Sequence, residues 1–440
     1  MTQSSTPAVT GPAPARAVRQ ATHPNAPGAL ATTGKQSAAA SAPKHDTPRL
    51  LRRLTTALIL VGLLFGLAGA LSFSGLAYAL SRAEANADQL IRVQQIQTNL
   101  LSADATATNA FLVGGLEAPA QRASYDRAIS ASTALIAEAA EAQPADAVPL
   151  SALNQQVVDY AVAIEQARAN NRQGFPVGAQ YLRSASAGLR TDALPILDLL
   201  VKANSDRATD AMGSRIALVF EILGLLSLAA LVAALAWLAR RFHRRVNVGV
   251  LTAAAVLLLV WIVGVLVLVN VNRAVDRVAD GAFSSVNSGA QIRIQGNDAK
   301  ANESLTLIAR GSGTSFESAW VESARGVDQQ LALVSQPALQ ASWRAYADTH
   351  RQIRKLDDGG SWDAAVSQAT GAAATSSNTR FGQFDRSASQ FLDGASRDMA
   401  DGLARPQPLL VVFAVLTFLA GLSAALLSRW GVAARLKEYR

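Results

Sequence analysis

The sequence predicts an all-α membrane protein: four transmembrane helices and two extracytoplasmic four-helix-bundle lobes arranged as an internal duplication. Three observations predict it. Four nearly charge-free apolar stretches, 54–80, 216–238, 249–269 and 409–427, are each about as long as a helix that crosses a bilayer core. Basic residues gather outside those stretches: the tail through Arg53, the run Arg240, Arg241, Arg244 and Arg245, and the tail from Arg429 sum to a net +13 in a chain of net +8. Breaks and residue matches then recur in the two long segments, 81–215 and 270–408, at nearly constant offset.

The basic surplus sets the orientation, because Lys and Arg are enriched on cytoplasmic loops. Both termini and the loop 239–248 are therefore expected inside the cell membrane, and both long segments outside. The pI near 10 does not point to nucleic acid, since the charge is juxtamembrane and suits anionic lipid headgroups. The chain has no cysteine, so the lobes are held by packing, without disulfides or thiolate metal sites.

Residues 1–53 form a basic cytoplasmic tail, disordered through about residue 48, because a Pro/Ala/Ser/Thr-rich segment lacks the apolar area to offset ordering. Thr47, before Pro48, reads as an accessible linker residue or a phosphorylation site. The first span is too long, and begins too far from Met1, for a cleaved signal peptide despite Ala77-Tyr78-Ala79. Gly62, Gly66 and Ala70 present a small-residue face for another helix.

In the first lobe, Val93, Ile96, Leu100, Ala103, Ala107 and Ala110 recur at alternating threes and fours, the seam of a packed bundle. Breaks at Gly114-Gly115, Gln143-Pro144-Ala145 and Gly174-Phe175-Pro176 divide the segment into four helices, and Pro195 is expected to kink the last. The second segment repeats the breaks at Gly311-Ser312-Gly313, Gln336-Pro337-Ala338 and Asp357-Asp358-Gly359-Gly360. Asp104 pairs with Asp298, Ser124-Tyr125-Asp126 with Ser315-Phe316-Glu317, Tyr160 with Tyr346 and Leu197-Asp198 with Leu392-Asp393, all at offsets of 186 to 196. The last helix of the first lobe is expected to run unbroken into the second span, and the third span into the second lobe.

No catalytic pattern accompanies this plan, and no enzyme or cofactor is predicted. The four histidines are scattered, no phosphate-cradling loop is present, and no nucleophile elbow surrounds a serine. Acid pairs where lobes meet membrane, such as Glu84 and Asp88, read as solvated faces rather than a cation site. Asp104 and Asp298 sit mid-helix beside apolar seams, and the expectation is that they face water, since aspartate is rarely fully buried; binding a ligand or fixing bundle register are the alternatives, and Tyr125 and Phe316 join them as ligand or partner candidates. Glu221 lies inside the second span, either as a coupling element between spans or as a shallow carboxyl, protonated or paired to Arg215. The run Arg240, Arg241, Arg244 and Arg245 is the expected cytoplasmic contact for an acidic partner or lipid.

Tandem units of span, four-helix lobe and span resemble chemoreceptor-type sensing bundles. With the Pro/Ala/Thr-rich tail, the arginine hairpin and the short basic end Trp430 to Arg440, the whole layout is similar to the GlnX-type proteins of actinobacteria. The resemblance implies a role in amino-acid sensing, between an extracytoplasmic glutamate/aspartate-binding lipoprotein and the cytoplasmic Ser/Thr protein kinase PknG. It supplies no functional residue. A second copy of the chain is a further expected partner, and a direct small-molecule receptor, an envelope scaffold or a transporter subunit are the competing readings.

Overall fold

The computed structural model describes residues 47–113, 117–242 and 247–436. The expected disordered tail before Thr47, the break at Gly114-Gly115, and Arg244 and Arg245 lie outside the described residues. Every described regular element is helical, so the fold is all-α.

Helix α1, Thr47–Val113, is 67 residues long and so extends about 100 Å. Its lower half is one of four helical segments long and apolar enough to cross a membrane. The others lie in α6, Ala217–Phe242, α7, Val248–Arg277, and α13, Gln407–Leu436. These four close into a ring. Phe220 of α6 meets Phe65 and Phe73 of α1 at ring separations of 5.6 and 5.1 Å, and Phe73 meets Phe413 of α13 at 5.6 Å. Gly264 of α7 leaves room for the Phe220 ring, because a Cβ there would fall 2.7 Å from it. Between α1 and α13 the backbones touch: a Cβ on Gly62 would lie 2.8 Å from the Gly421 carbonyl oxygen, and one on Gly66 3.0 Å from that of Phe418. The small-residue face continues through Gly69, packed on Thr417, rather than through Ala70. Leu63, Leu67, Leu226, Leu259 and Leu416 point away from the ring and are exposed, as an outer face meeting hydrocarbon requires.

Above the first span, the rest of α1 packs with α2, Pro119–Ala142, α3, Ala147–Arg172, α4, Val177–Gly188, and α5, Leu194–Met212, as lobe 1. Lobe 2 comprises α8, Ser284–Ile308, α9, Thr314–Leu333, α10, Pro337–Asp358, α11, Trp362–Thr370, and α12, Ser377–Ala404. The breaks have matching local causes. Pro144 and Pro337 each open a helix, where the missing N–H costs nothing. Gly174 and Gly360 both adopt positive φ, 72° and 78°, which a side chain would resist. The offset between the repeats grows from 186 at Gly174 and Gly360 to 195 at Leu197 and Leu392, so nine extra residues enter lobe 2 there. The segment that gains them includes the six residues Gly371 to Ser376, where the chain leaves helix.

Of the two expectations about continuity, one is corrected and one holds. The chain is not helical from lobe 1 into the second span: it turns at Gly213–Ile216, where glycine ends α5. Lobe 2 likewise leaves through a turn at Arg405-Pro406. By contrast α1 enters lobe 1 without interruption, and α7 enters α8 through the π-helical turn Val278–Phe283. Helices entering the lobes are continuous; helices leaving them are broken.

The upper part of α1 and the whole of α8 run at the junction of the lobes and are buried on nearly all faces. Gln94 donates to Asn287 at 3.0 Å and Asn378 to Asn109 at 2.9 Å across this junction, and Leu112 packs with Leu307 and Ile353.

Candidate functional site

The site grows from Pro195. Having no N–H, Pro195 leaves the carbonyl one turn earlier without its helical partner, and the ladder slips into a π-helical turn over Leu189–Ala193, closed by the Leu194 amide on the Leu189 carbonyl. The expected disturbance at Pro195 is therefore a register slip, and such turns often sit at functional positions. It carries Arg190, which faces the junction between the lobes.

Arg190 bridges Asp104 of α1 and Asp298 of α8. Its Nη1 donates to Asp104 Oδ2 at 2.8 Å, and its Nε and Nη2 lie 3.0 and 2.7 Å from Asp298 Oδ1. Asp104 also accepts from the Ser186 hydroxyl at 2.7 Å and the Tyr160 hydroxyl at 3.3 Å. Asp298 accepts from Ser323 at 2.6 Å and from Asn302 at 3.1 Å. The Asp104 side chain is 0 % exposed, against 23 % for Asp298. The expectation that both face water is thus corrected for Asp104: α1 has no water face at this height because the second lobe covers it. Burial alone would lower the Arg190 pKa, but Asp104 and then Asp298 outweigh it and hold the guanidinium above the ordinary arginine value. Burial, with Asp104 next to it, raises the Tyr160 phenol.

Tyr125 reaches this network indirectly. Its ring lies 6.5 Å from that of Tyr160 and under the Arg168 guanidinium, 4.1 Å away; its hydroxyl is buried without a hydrogen-bond partner. Phe316, the residue matched to Tyr125, is half-buried and lines a cavity with Arg183, Arg190, Asn302 and Leu305 at the lobe junction. The other candidates lie apart. Glu221, on α6, is half-buried; its backbone carbonyl accepts from Trp261 at 3.3 Å. Among the described residues no cation pairs with its carboxylate, so the pairing to Arg215 is not formed. Arg240 and Arg241 are exposed in the last turn of α6, where the helix dipole favours positive charge. Of the acid pairs, Glu84 accepts from Gln407, and Asp206 and Asp401 pair with Lys202 and Arg405. Among the described residues no three His, Asp or Glu side chains converge as a metal site.

A second polar cluster, unseen in the sequence, lies inside lobe 2. Lys300 pairs with Glu303 at 2.7 Å and donates to Ser377 at 2.8 Å. His350, which reads in the sequence as one of four scattered histidines, places Nδ1 3.1 Å from Glu303 and Nε2 3.3 Å from Glu317, with its ring stacked on Trp320 at 3.7 Å. Burial would raise the Glu303 carboxyl, but Lys300 and His350 bring it down to about 2. Burial likewise opposes a charged His350, and its hydrogen bonds to Glu303 and Glu317 prevail, raising its pKa. Lys300 and Glu303, three residues apart on one face of α8 and two and five residues beyond Asp298, are the sequence signal that points to this cluster.

No curated protein and no solved structure matches the chain. Residues 79–213, which take in lobe 1, match the family model described as an actinobacterial sensor domain, so the lobe that supplies Asp104 and Arg190 is similar to a sensing module.

Proposed function

We propose that the protein is a membrane signal transducer whose lobes face outward, dock an extracytoplasmic amino-acid-binding lipoprotein of the glutamate/aspartate type, and relay its state to a cytoplasmic Ser/Thr protein kinase. The observation that carries the reading is the Arg190 bridge. It ties α1 to α8, and these are the two helices that continue without a turn into spans. A partner that changes how the lobes sit against each other has a stiff route to the membrane, since packed interfaces switch between arrangements rather than deform smoothly. The sensor-domain match supports the sensing part.

The role requires no chemistry from the chain itself, and no enzyme activity is proposed. Arg240 and Arg241, with the adjoining arginines, are the proposed contact for the kinase or anionic lipid. Capture of a solute-binding lipoprotein by the full-length protein in nanodiscs, with and without glutamate, tests the docking. If nothing is captured, and deletion of the gene leaves amino-acid-dependent phosphorylation unchanged, the proposal is wrong. A reporter after Arg245 that proves extracytoplasmic overturns the orientation.

A further inference from the structure

The cavity at the lobe junction has a volume of about 400 Å³, within the usual range of small-molecule pockets, about 300–1,000 Å³. One wall comes from α4 and the π-helical turn, through Arg183, Ser186, Ala187 and Arg190; the other comes from Asn302 and Leu305 of α8 and Phe316 of α9. Arg183 stands out. Its Nη2 donates to Gln180 at 3.0 Å, but its Nε is buried with no hydrogen-bond partner, and among the described residues no carboxylate pairs with it. The two acids of the Arg190 network are already engaged: Asp104 by Tyr160, Ser186 and Arg190, Asp298 by Arg190, Asn302 and Ser323. A buried guanidinium N–H without an acceptor is costly, and guanidinium geometry suits a carboxylate.

We infer that this cavity binds a small monocarboxylate with an apolar body, its carboxylate on Arg183 and its body between Leu305 and Phe316. The Arg183 Nε–H, buried without an acceptor, calls for an oxygen acceptor, which a carboxylate supplies, and Leu305, Ala187 and Phe316 suit a hydrocarbon or aromatic remainder. A ligand there touches α4 of lobe 1 and α8 and α9 of lobe 2 at once, so it favours the arrangement in which the lobes are joined. The inference rests on the lobe junction being the sensing element, as proposed above, and adds a directly bound ligand to it.

The test uses full-length protein in nanodiscs, titrated calorimetrically with 4-methylpentanoate and with the uncharged 4-methylpentanamide, at matched ionic strength. Binding of the carboxylate and not the amide, weakened at least about tenfold by Arg183→Gln as loss of a charge-assisted hydrogen bond implies, and weakened by Phe316→Ala, bears the inference out. Arg183→Lys, which keeps the charge and loses Nε, reports on the fold and is expected to bind weakly. Absence of carboxylate binding to a wild-type protein of native helicity, equal binding of the amide, or undiminished binding by Arg183→Gln each overturns it. Lipoprotein capture measured on the same samples keeps the two failures apart: capture that persists without carboxylate binding removes the ligand and leaves the transducer.

Discussion

The two lobes share a backbone plan and differ in what fills it. At one constant offset, Tyr160 of lobe 1 becomes Tyr346, Val157 becomes Trp343 and Ile164 becomes His350. Lobe 1 is packed with aliphatic residues such as Leu153, Val157 and Ile164, whereas lobe 2 holds Trp343, Tyr346, Phe381 and Phe384 in mutual ring contact and a buried ionic cluster beside them. Beyond the shared junction network on Asp104, each lobe has a buried one of its own: in lobe 1 Asp146 pairs with Arg207 at 2.9 Å and accepts from Asn204 at 2.7 Å, and in lobe 2 the cluster on Glu303 includes a histidine. The duplicated element is thus the helix pattern, while the charge placement has diverged: a histidine stands in the buried ionic cluster of lobe 2 where lobe 1 has Ile164.

The largest expected effect comes from breaking what the lobes share. Arg190→Ala leaves the fully buried Asp104 without its cation, and removing one partner of a buried pair costs about 3–5 kcal/mol. Hydrogen exchange should show α1 and α8 losing protection together; loss confined to lobe 1 would mean that the bridge does not couple the lobes. Next comes Glu303→Gln, expected to destabilise lobe 2 by about 2–4 kcal/mol through the stranded Lys300, with lobe 1 protection unchanged.

Protonation sharpens the same contrast. Because the folded His350 pKa lies above 6.5, its contribution is full below pH 6.5 and is lost as pH rises through the folded value. Because the folded Glu303 pKa is held down to about 2, its contribution is full above the ordinary value near 4.5 and is lost as pH falls toward 2. Lobe 2 should therefore be most protected between those limits, and His350→Ile, which installs the lobe 1 residue, should abolish the alkaline loss. Alkaline loss that persists in that variant excludes His350 as its source.

Gly421→Val tests a part outside both lobes. A Cβ there falls 2.4 Å from the Gly62 carbonyl oxygen, so overpacking should cost about 1–3 kcal/mol, read as a lower unfolding temperature with no change in the pH profile of lobe 2. The smallest change is expected for Tyr125→Phe, which removes a buried hydroxyl without a partner: a shift within about 0.5 kcal/mol, or a slight gain. A loss well above that would show that the hydroxyl has a partner in solution.

Much of the fold was legible because its signals are local. Span length, the prolines that open helices and the glycines that end them act over a few residues, and they locate the helices and the repeat. What escaped depends on the lobes packing together. Asp104 reads as water-facing because aspartate is rarely fully buried, and nothing local shows the second lobe that covers α1 at this height. Yet between Val93 and Val113 Asp104 is the one charged residue, a dearth that already argues against a wet face. Asp104 and Asp298 were visible as a repeated pair; Arg190 was not, because its partners lie 86 and 108 residues away. His350 was likewise hidden, since its acids come from α8 and α9 and no sequence spacing joins them.

The unbroken α1 has a mechanical consequence. Its backbone-to-backbone contact with α13, at Gly62 and Gly66, lies much nearer the Thr47 end than the Val113 end, and a tilt about it would have unequal arms. From Gly66 the arms measure about 28 Å toward Thr47 and about 70 Å toward Val113 at helical rise. Rocking about that point divides a displacement at the top by roughly 2.5 at the bottom while multiplying force by the same factor. Under the proposed transducer role, a displacement at the Val113 end would therefore reach the Thr47 end smaller by that factor.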